Sequence, residues 1–364
     1  MRIALIAPPF FTCPPVGYGG TELVVGNLAN GLVERGHDVR LFAHRDSRTN
    51  AVLHPSVDIP QGTFVFPYHR EVLHVADAFE NLGDVDIIHN HTTSALCFER
   101  LIATPMVTTI HGLTDMREHT FHHYRSSRFV AVSDNARRTG QPGLNWIARV
   151  HNGIDVDFYQ PREDATRDYL LHLNALCERK GTADAVQIAR RAGVPLVLAG
   201  PIYEADRAFF EERVEPFIDG KSVRYVGVVA GQEKIQLLSG ALGLLVPIRF
   251  HEPFGLVMAE SLSCGVPVIV NDVGSAREVV RHGETGFVCS SEDDAVEATG
   301  RLSSLSPSAC REAAVRAFSV DAMVSAYEDV YASVLDLRDS PLNEPVGSSP
   351  TWPGSRSQPA TALQ

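Results

Sequence analysis

Two carboxylates separated by seven residues, Glu252 and Glu260, bracket the string Pro-Phe-Gly-Leu-Val-Met-Ala and are the chain's clearest pointer to chemistry. Pro247 and Pro253 exclude helix before this point, whereas Leu256, Val257, Ala259, Leu262 and Ser263 recur at roughly helical spacing up to Cys264-Gly265. The pattern predicts a helix that starts beside Phe254 and Gly255. The first amides of a helix lack intrahelical partners and carry partial positive charge, which makes them a seat for phosphate. A carboxylate accepts paired hydroxyl hydrogens from a sugar or a ribose. The ligand expected here carries both anionic phosphates and several hydroxyls, with Glu252 at the helix mouth and Glu260 two turns along.

Three further groups could serve the same ligand. Gly17-Tyr18-Gly19-Gly20-Thr21-Glu22 lies between a strand and a helix, where glycine lets backbone amides approach a phosphate and Thr21 can cap the helix. Glu22 stands where the dinucleotide fingerprint needs its last glycine, which disfavours a nicotinamide enzyme. Glu178-Arg179-Lys180-Gly181 follows the first strand of a second series, so that Lys180 is placed to neutralise a diphosphate as it departs. His111 emerges from the strand Val107-Thr108-Thr109-Ile110, and His89 and His91 leave a neighbouring strand in the same way. His119, His122 and His123 have helical spacing but no accompanying Cys or acidic ligand motif, and read as a surface helix. Asp84-Val85-Asp86 and Asp155-Val156-Asp157 border a strand and a linker, and no Gly-x-Ser-x-Gly string occurs.

The elements that must position these groups alternate strand and helix almost from end to end. The first series reads as strand 2–7, helix 21–35, strands 38–43 and 85–89, helix 93–101, and strands 106–110 and 128–132. The second reads as strand 169–175, helix 183–191, strands 195–199 and 223–226, helix 232–239, strand 243–247, helix 256–264, and strands 268–270 and 286–288. Such alternation predicts two α/β halves with mostly parallel sheets, joined near residues 155–164. Open sheets of this kind bind ligands at the carboxyl ends of their strands, so the site is expected in a cleft between the halves. Residues 51–81 are too irregular to read as an acceptor site, and no repeat of solenoid length is visible.

Composition narrows the function. A length of 364 residues suits two cores. No apolar run approaches the ~20 residues that span a bilayer. The net charge of −12 is the wrong sign for a general nucleic-acid or anionic-membrane binder. Six cysteines without a C-x-x-C pair fit reduced thiols in a cytoplasm better than a disulfide or zinc framework.

The string from Glu252 to Glu260, continued through Ser261-Leu262-Ser263-Cys264-Gly265-Val266-Pro267-Val268-Ile269, by Gly274-Ser275-Ala276-Arg277-Glu278-Val279-Val280 and by Gly283-Glu284-Thr285-Gly286-Phe287-Val288, resembles the donor-site signature of family 4 retaining glycosyltransferases. The likeness runs from about Arg2 to about Leu337. It implies the two-lobed GT-B fold: a Rossmann-like acceptor-side domain over 1–160, a Rossmann-like nucleotide-sugar domain over 161–320, and a helix over 321–338 crossing back onto the first domain. Residues 339–364, rich in Ser, Pro, Gly and Thr, read as a disordered tail.

The resemblance also implies a function. A sugar would pass from a nucleoside-diphosphate donor to a sugar, lipid or small-molecule acceptor with retention, without metal or cofactor. Gly19, Gly20, Lys180, Glu252, Phe254, Gly255, Leu256 and Glu260 would bind the donor, and His111, Glu252 and Lys180 would act at the reacting centre. Asn152-Gly153-Ile154-Asp155 matches the family's entry to the hinge. One position departs from the pattern: the family usually places Arg five residues before the Lys, and this chain has Ala175. Arg179, Arg249 or His172 could fill in. Otherwise the chain could bind a nucleotide sugar with weak or no transfer, or be a related phosphorylase or epimerase.

Overall fold

The computed structural model describes residues 1–15, 17, 19–55, 67–112, 118–162 and 165–339. Two parallel sheets form its frame. The first takes β1 (Arg2–Ile6), β2 (Asp38–Ala43), β3 (Val52–Pro55), β4 (Ile87–Asn90), β5 (Met106–Ile110), β6 (Arg128–Ala131) and β7 (Trp146–Arg149), in the order β3-β2-β1-β4-β5-β6-β7. The second takes β8 (Tyr169–Leu173), β9 (Leu196–Ala199), β10 (Val223–Tyr225), β11 (Ala241–Val246), β12 (Val268–Asn271) and β13 (Gly286–Cys289), in the order β10-β9-β8-β11-β12-β13. Every residue of β4, β5 and β8 is buried, because helices cover both faces of a parallel sheet and its central strands see no solvent. Strand order reverses between β1 and β4 in one sheet and between β8 and β11 in the other. These are the points where an open α/β sheet leaves a crevice for ligand.

The first sheet carries α1 (Gly20–Glu34), α2 (Pro67–Glu80), α3 (Glu118–His123) and α4 (Asp134–Thr139). The second carries α5 (Thr182–Ala192), α6 (Arg207–Arg213), α7 (Gly231–Gly240), α8 (Leu256–Ser263), α9 (Ala276–Val279), α10 (Glu292–Arg301) and α11 (Pro307–Phe318). The last helix, α12 (Val320–Asp339), returns to the first lobe. Its Met323, Val324, Tyr327, Tyr331 and Val334 join the core built from α1 and the first sheet. Arg35 beside α1 pairs with Asp321 and Glu328 of that helix, and His37 meets Glu328 at 2.8 Å. Buried aromatic area with paired charges at its rim holds the helix on the first lobe.

Several local expectations are corrected. Residues 51–81, read as irregular, contain β3 and α2. The expected helix 93–101 is a 3-10 helix over Ser94–Leu101. Thr21 does not cap α1, which starts one residue earlier with Gly19 preceding it and no side-chain cap. The expected tail lies beyond Asp339, outside the described residues.

Candidate functional site

Seven of the nine residues singled out in the sequence line one cavity of about 250 Å³ between the lobes: Gly19, Gly20, Lys180, Glu252, Gly255, Leu256 and Glu260. Its first wall is the turn after β1, where Gly19 has a φ of 145° and leads into α1. A side chain there would be strained and would press on Pro15, 3.1 Å from the site of an added Cβ. The opposite wall is built from Leu173, Asn174 and Ala175 at the end of β8, from Gly200 and Pro201 after β9, and by the start of α8.

The stretch that carries Glu252 is pinned from behind. Ser275 donates its amide to the Glu252 carbonyl at 3.1 Å and its hydroxyl to the Phe254 carbonyl at 2.7 Å. Gly274 has a φ of 65°, and a Cβ on it would lie 2.6 Å from the Glu252 nitrogen. The downstream string Gly274-Ser275 is thus the buttress of the acidic loop. Phe254, expected to offer its backbone amide, is not among the residues that line the cavity. Its ring is buried against Phe318 and His151, each 5.6 Å away centre to centre. It anchors the loop in the core and leaves Gly255 and Leu256 to face the ligand.

Each carboxylate in the cavity is matched by a lysine. Lys180 pairs with Glu252, and its ammonium stands 4.9 Å from the centre of the Phe250 ring. Lys234 of α7 donates to Glu260 Oε1 at 2.7 Å and to the Tyr159 hydroxyl at 3.2 Å. Burial, then the Glu260 charge, pushes the Tyr159 hydroxyl far above its ordinary value, so it stays protonated. Glu260 is 2% exposed, and a carboxylate so buried requires a partner.

Ala175 lines the cavity without charge, and none of the three proposed substitutes replaces it. Arg249 is committed to Asp184, with Nε 2.6 Å from Oδ2. His172 is wedged between the Leu245 carbonyl at 3.0 Å and the Thr182 hydroxyl at 3.2 Å, and burial pushes it down to about 4, so it is neutral. Arg179 lies 5.6 Å from the Phe250 ring and is not among the cavity residues. Among the described residues lining the cavity, the cations are Lys180 and Lys234. Sequence reasoning missed Lys234 and Tyr159, because neither stands at a telling distance in sequence from Glu260.

His111 lies elsewhere. It lines a second cavity of about 400 Å³ in the first lobe, together with Glu71, His91, Thr92, Thr108 and Thr109. The two cavities meet across the start of α1: Gly19 and Gly20 face one, Thr21 the other. His91 Nδ1 and His111 Nε2 are 2.9 Å apart. Burial pushes His111 down to about 4 and His91 well below its usual value, with like charge on His89 and His111 adding to the shift at His91. Both rings are neutral near pH 7, so one donates and the other accepts. His89 bonds the Tyr331 hydroxyl at 2.7 Å and the Thr109 hydroxyl at 2.8 Å, which makes it a buried strut under the pocket. His91 Nε2 is buried with no partner among the described residues. Glu71 receives the amide and hydroxyl of Ser94 at 3.0 and 2.6 Å.

The lobes are also joined by Glu278, whose carboxylate receives the Asp134 and Asn135 amides at 2.7 Å each and meets His151 at 3.3 Å. The backbone of the connecting segment is tied at Ile154, whose nitrogen donates to the Phe318 carbonyl at 2.8 Å.

Comparison with known proteins places this architecture. A family model described as glycosyl transferases group 1 matches residues 154–314, and one described as glycosyltransferase family 4 matches residues 18–158. Glycogen synthase of Mycobacterium tuberculosis is 26% identical over a 374-residue alignment covering 87% of this chain and 89% of that protein. AviGT4, a glycosyltransferase involved in avilamycin A biosynthesis, superposes with a TM-score of 0.71 at 24% identity, over 92% of this chain and 98% of its own. Anabaena HepE in complex with UDP and glucose superposes with a TM-score of 0.70 at 18% identity, over 92% of this chain and 100% of its own.

Proposed function

This chain is a GT-B glycosyltransferase of family 4, and from that premise we propose that it transfers a sugar from a nucleoside-diphosphate donor to a hydroxyl acceptor with retention and without a metal. The observation that carries the reading is the interlobe cavity, in which two lysine–carboxylate pairs, a glycine turn and a helix start face one another at the strand-order reversals of both sheets. One protein of this fold, Anabaena HepE, has been captured with UDP and glucose, which supports a nucleotide-sugar donor.

The donor's diphosphate lies between the Gly19-Gly20 turn, Lys180 and the first turn of α8. As the bond from sugar to phosphate lengthens, negative charge grows on the diphosphate and positive charge on the anomeric carbon. Preorganised cations and amides meet the former without reorganising, the usual source of rate in such sites. Glu252 holds sugar hydroxyls and Glu260 the ribose. The acceptor occupies the first-lobe pocket beside His111, whose neutral ring donates to or accepts from hydroxyls near the reacting centre. The leaving phosphate then takes the acceptor's proton on the face from which it departed. The six cysteines are all free thiols, which supports a reducing cytoplasm as the setting of the reaction; among the described residues no helix is long and apolar enough to cross a membrane.

The test is product formation from UDP-, GDP- and ADP-sugars by Lys180→Ala, Glu252→Gln and Glu260→Ala. Loss of a preorganised donor to a developing anion costs ~10²–10³ in rate, and Lys180→Ala is expected in that range. Unchanged turnover in all three variants would overturn the assignment. Thermal shifts with UDP, GDP, ADP and deoxythymidine diphosphate identify the base, since a ligand at 100 times its Kd stabilises by ~2.7 kcal/mol.

A further inference from the structure

We propose that Lys234 and Tyr159 are positioning residues that fix Glu260 as an oriented acceptor for ribose, so that preference for a ribonucleotide over its 2′-deoxy counterpart runs through Lys234. The inference rests on the donor-site reading above and adds two residues to it.

Three segments of chain converge on one carboxylate. Glu260 lies in the middle of α8, Lys234 in the first turn of α7, and Tyr159 in the segment that joins the lobes. The Lys234 ammonium sits 2.7 Å from Glu260 Oε1, 3.2 Å from the Tyr159 hydroxyl and 5.3 Å from the centre of the Tyr159 ring. Tyr159 is itself held in place, because its carbonyl receives the Ser263 hydroxyl at 2.7 Å and the Arg311 guanidinium at 2.9 Å. The cation therefore has a fixed platform and Glu260 a fixed rotamer. An ionised carboxylate offers about four lone-pair sites, so Glu260 keeps accepting capacity toward the cavity it lines after Lys234 is served.

Orientation is what such an arrangement adds. A buried carboxylate without a cation turns toward water or takes up a proton, and in either state is a poorer acceptor for two hydroxyls. Held by Lys234, it presents the same lone pairs to each incoming ribose. A site built to hydrogen-bond a hydroxyl rejects the analogue that lacks it, since its own polar group is then left unpaired. A hydrogen bond to a charged group corresponds to about ten- to a hundredfold in affinity.

The experiment is calorimetric titration of the full chain with UDP, GDP and ADP and with their 2′-deoxy counterparts. The wild type is expected to favour the ribonucleotide by about ten- to a hundredfold for the base it accepts. Lys234→Met should bring the preference to about threefold or less, Lys234→Arg should keep most of it, and Tyr159→Phe should lower it by a few-fold. The ratio is the informative quantity, because a merely structural role for Lys234 would weaken both nucleotides alike. A full ribose preference in Lys234→Met, or none in the wild type, overturns the inference while leaving the donor site standing. Failure of all six nucleotides and of deoxythymidine diphosphate to bind the wild type overturns the donor-site reading itself, whereas binding of deoxythymidine diphosphate alone overturns the inference and leaves that reading standing. Should Lys234→Met not fold, the ratio in Tyr159→Phe decides: an unchanged preference there counts against the proposal.

Discussion

Glu22 offers a measurable consequence of how the glycine turn is built. Its carboxyl is buried in the first turn of α1, with Oε2 3.2 Å from the point where a Cβ on Gly19 would sit, directly behind the wall of the interlobe cavity. Burial raises it from an ordinary 4.5 to about 7, against a smaller opposing contribution from its own backbone amide. Between these values the folded chain holds a proton that the unfolded chain has released, so stability falls as pH rises. Below about 4.5 both states are protonated and above about 7 both are ionised, and there the residue adds no slope. The interval is about 2.5 units at about 1.4 kcal/mol each, so the loss across it is about 3 kcal/mol. Glu22→Gln keeps the shape and removes the titration. At pH 8 the variant should be more stable than the wild type by about 3 kcal/mol relative to their difference at pH 4.5. Urea unfolding followed by the fluorescence of Trp146, which lies in the same lobe on β7, gives both differences, and other titrating groups cancel between the two proteins. An equal wild-type-to-variant difference at the two pH values would refute the argument that the buried carboxyl is neutral in the folded chain.

Three substitutions test the support of the acidic loop and the seat of α12. Gly274→Ala places a methyl 2.6 Å from the Glu252 nitrogen at a left-handed φ, and should cost about 1–3 kcal/mol and lower transfer activity by more than about tenfold; Gly283→Ala, with a similar φ and open space around it, should show the strain in thermal unfolding but not the loss of activity. Gly31→Leu forces a side chain onto Val320 and Val324, 2.9 and 2.7 Å from the site of a Cβ, and should destabilise the seat of α12 by at least about 1–3 kcal/mol in urea unfolding; an unchanged midpoint would mean that the helix does not depend on this contact.

Much of this protein was legible without coordinates, for identifiable reasons. Two α/β series announce themselves because strands buried on both faces must be continuously apolar, as in Leu170-Leu171 and Ile87-Ile88, and because prolines and glycines punctuate them. The acidic pair reads from sequence because Glu252 lies just before α8 and Glu260 lies within it, so that their spacing along the chain carries over into space. The same locality explains Lys180, carried on the 3-10 turn Glu178–Lys180 between β8 and α5. Where the local pattern is weak, reading fails: β3 is a short, half-exposed edge strand, and α2 follows residues outside the described set.

What only the tertiary structure decided is how charge is balanced in the cleft. Ala175 raised the question of a missing cation, and Arg249, the obvious substitute, turned out to be bound by Asp184. The residue present instead is Lys234, brought to Glu260 by the packing of α7 beside α8, a contact between elements that no period or motif encodes. Phe254 shows the converse. Its place within the acidic string suggested an amide offered to ligand, and what the fold adds is a ring packed into the core against Phe318, which anchors the loop. Likewise, His111 is separated from the donor cavity by the start of α1, a division that depends on how β1, β4 and β5 are ordered in the sheet. Residue type and local spacing determined which chemistry this chain could carry; the long-range order of strands and the packing of helices determined which side chains share a cavity, because those distances are set across the core and not along the chain.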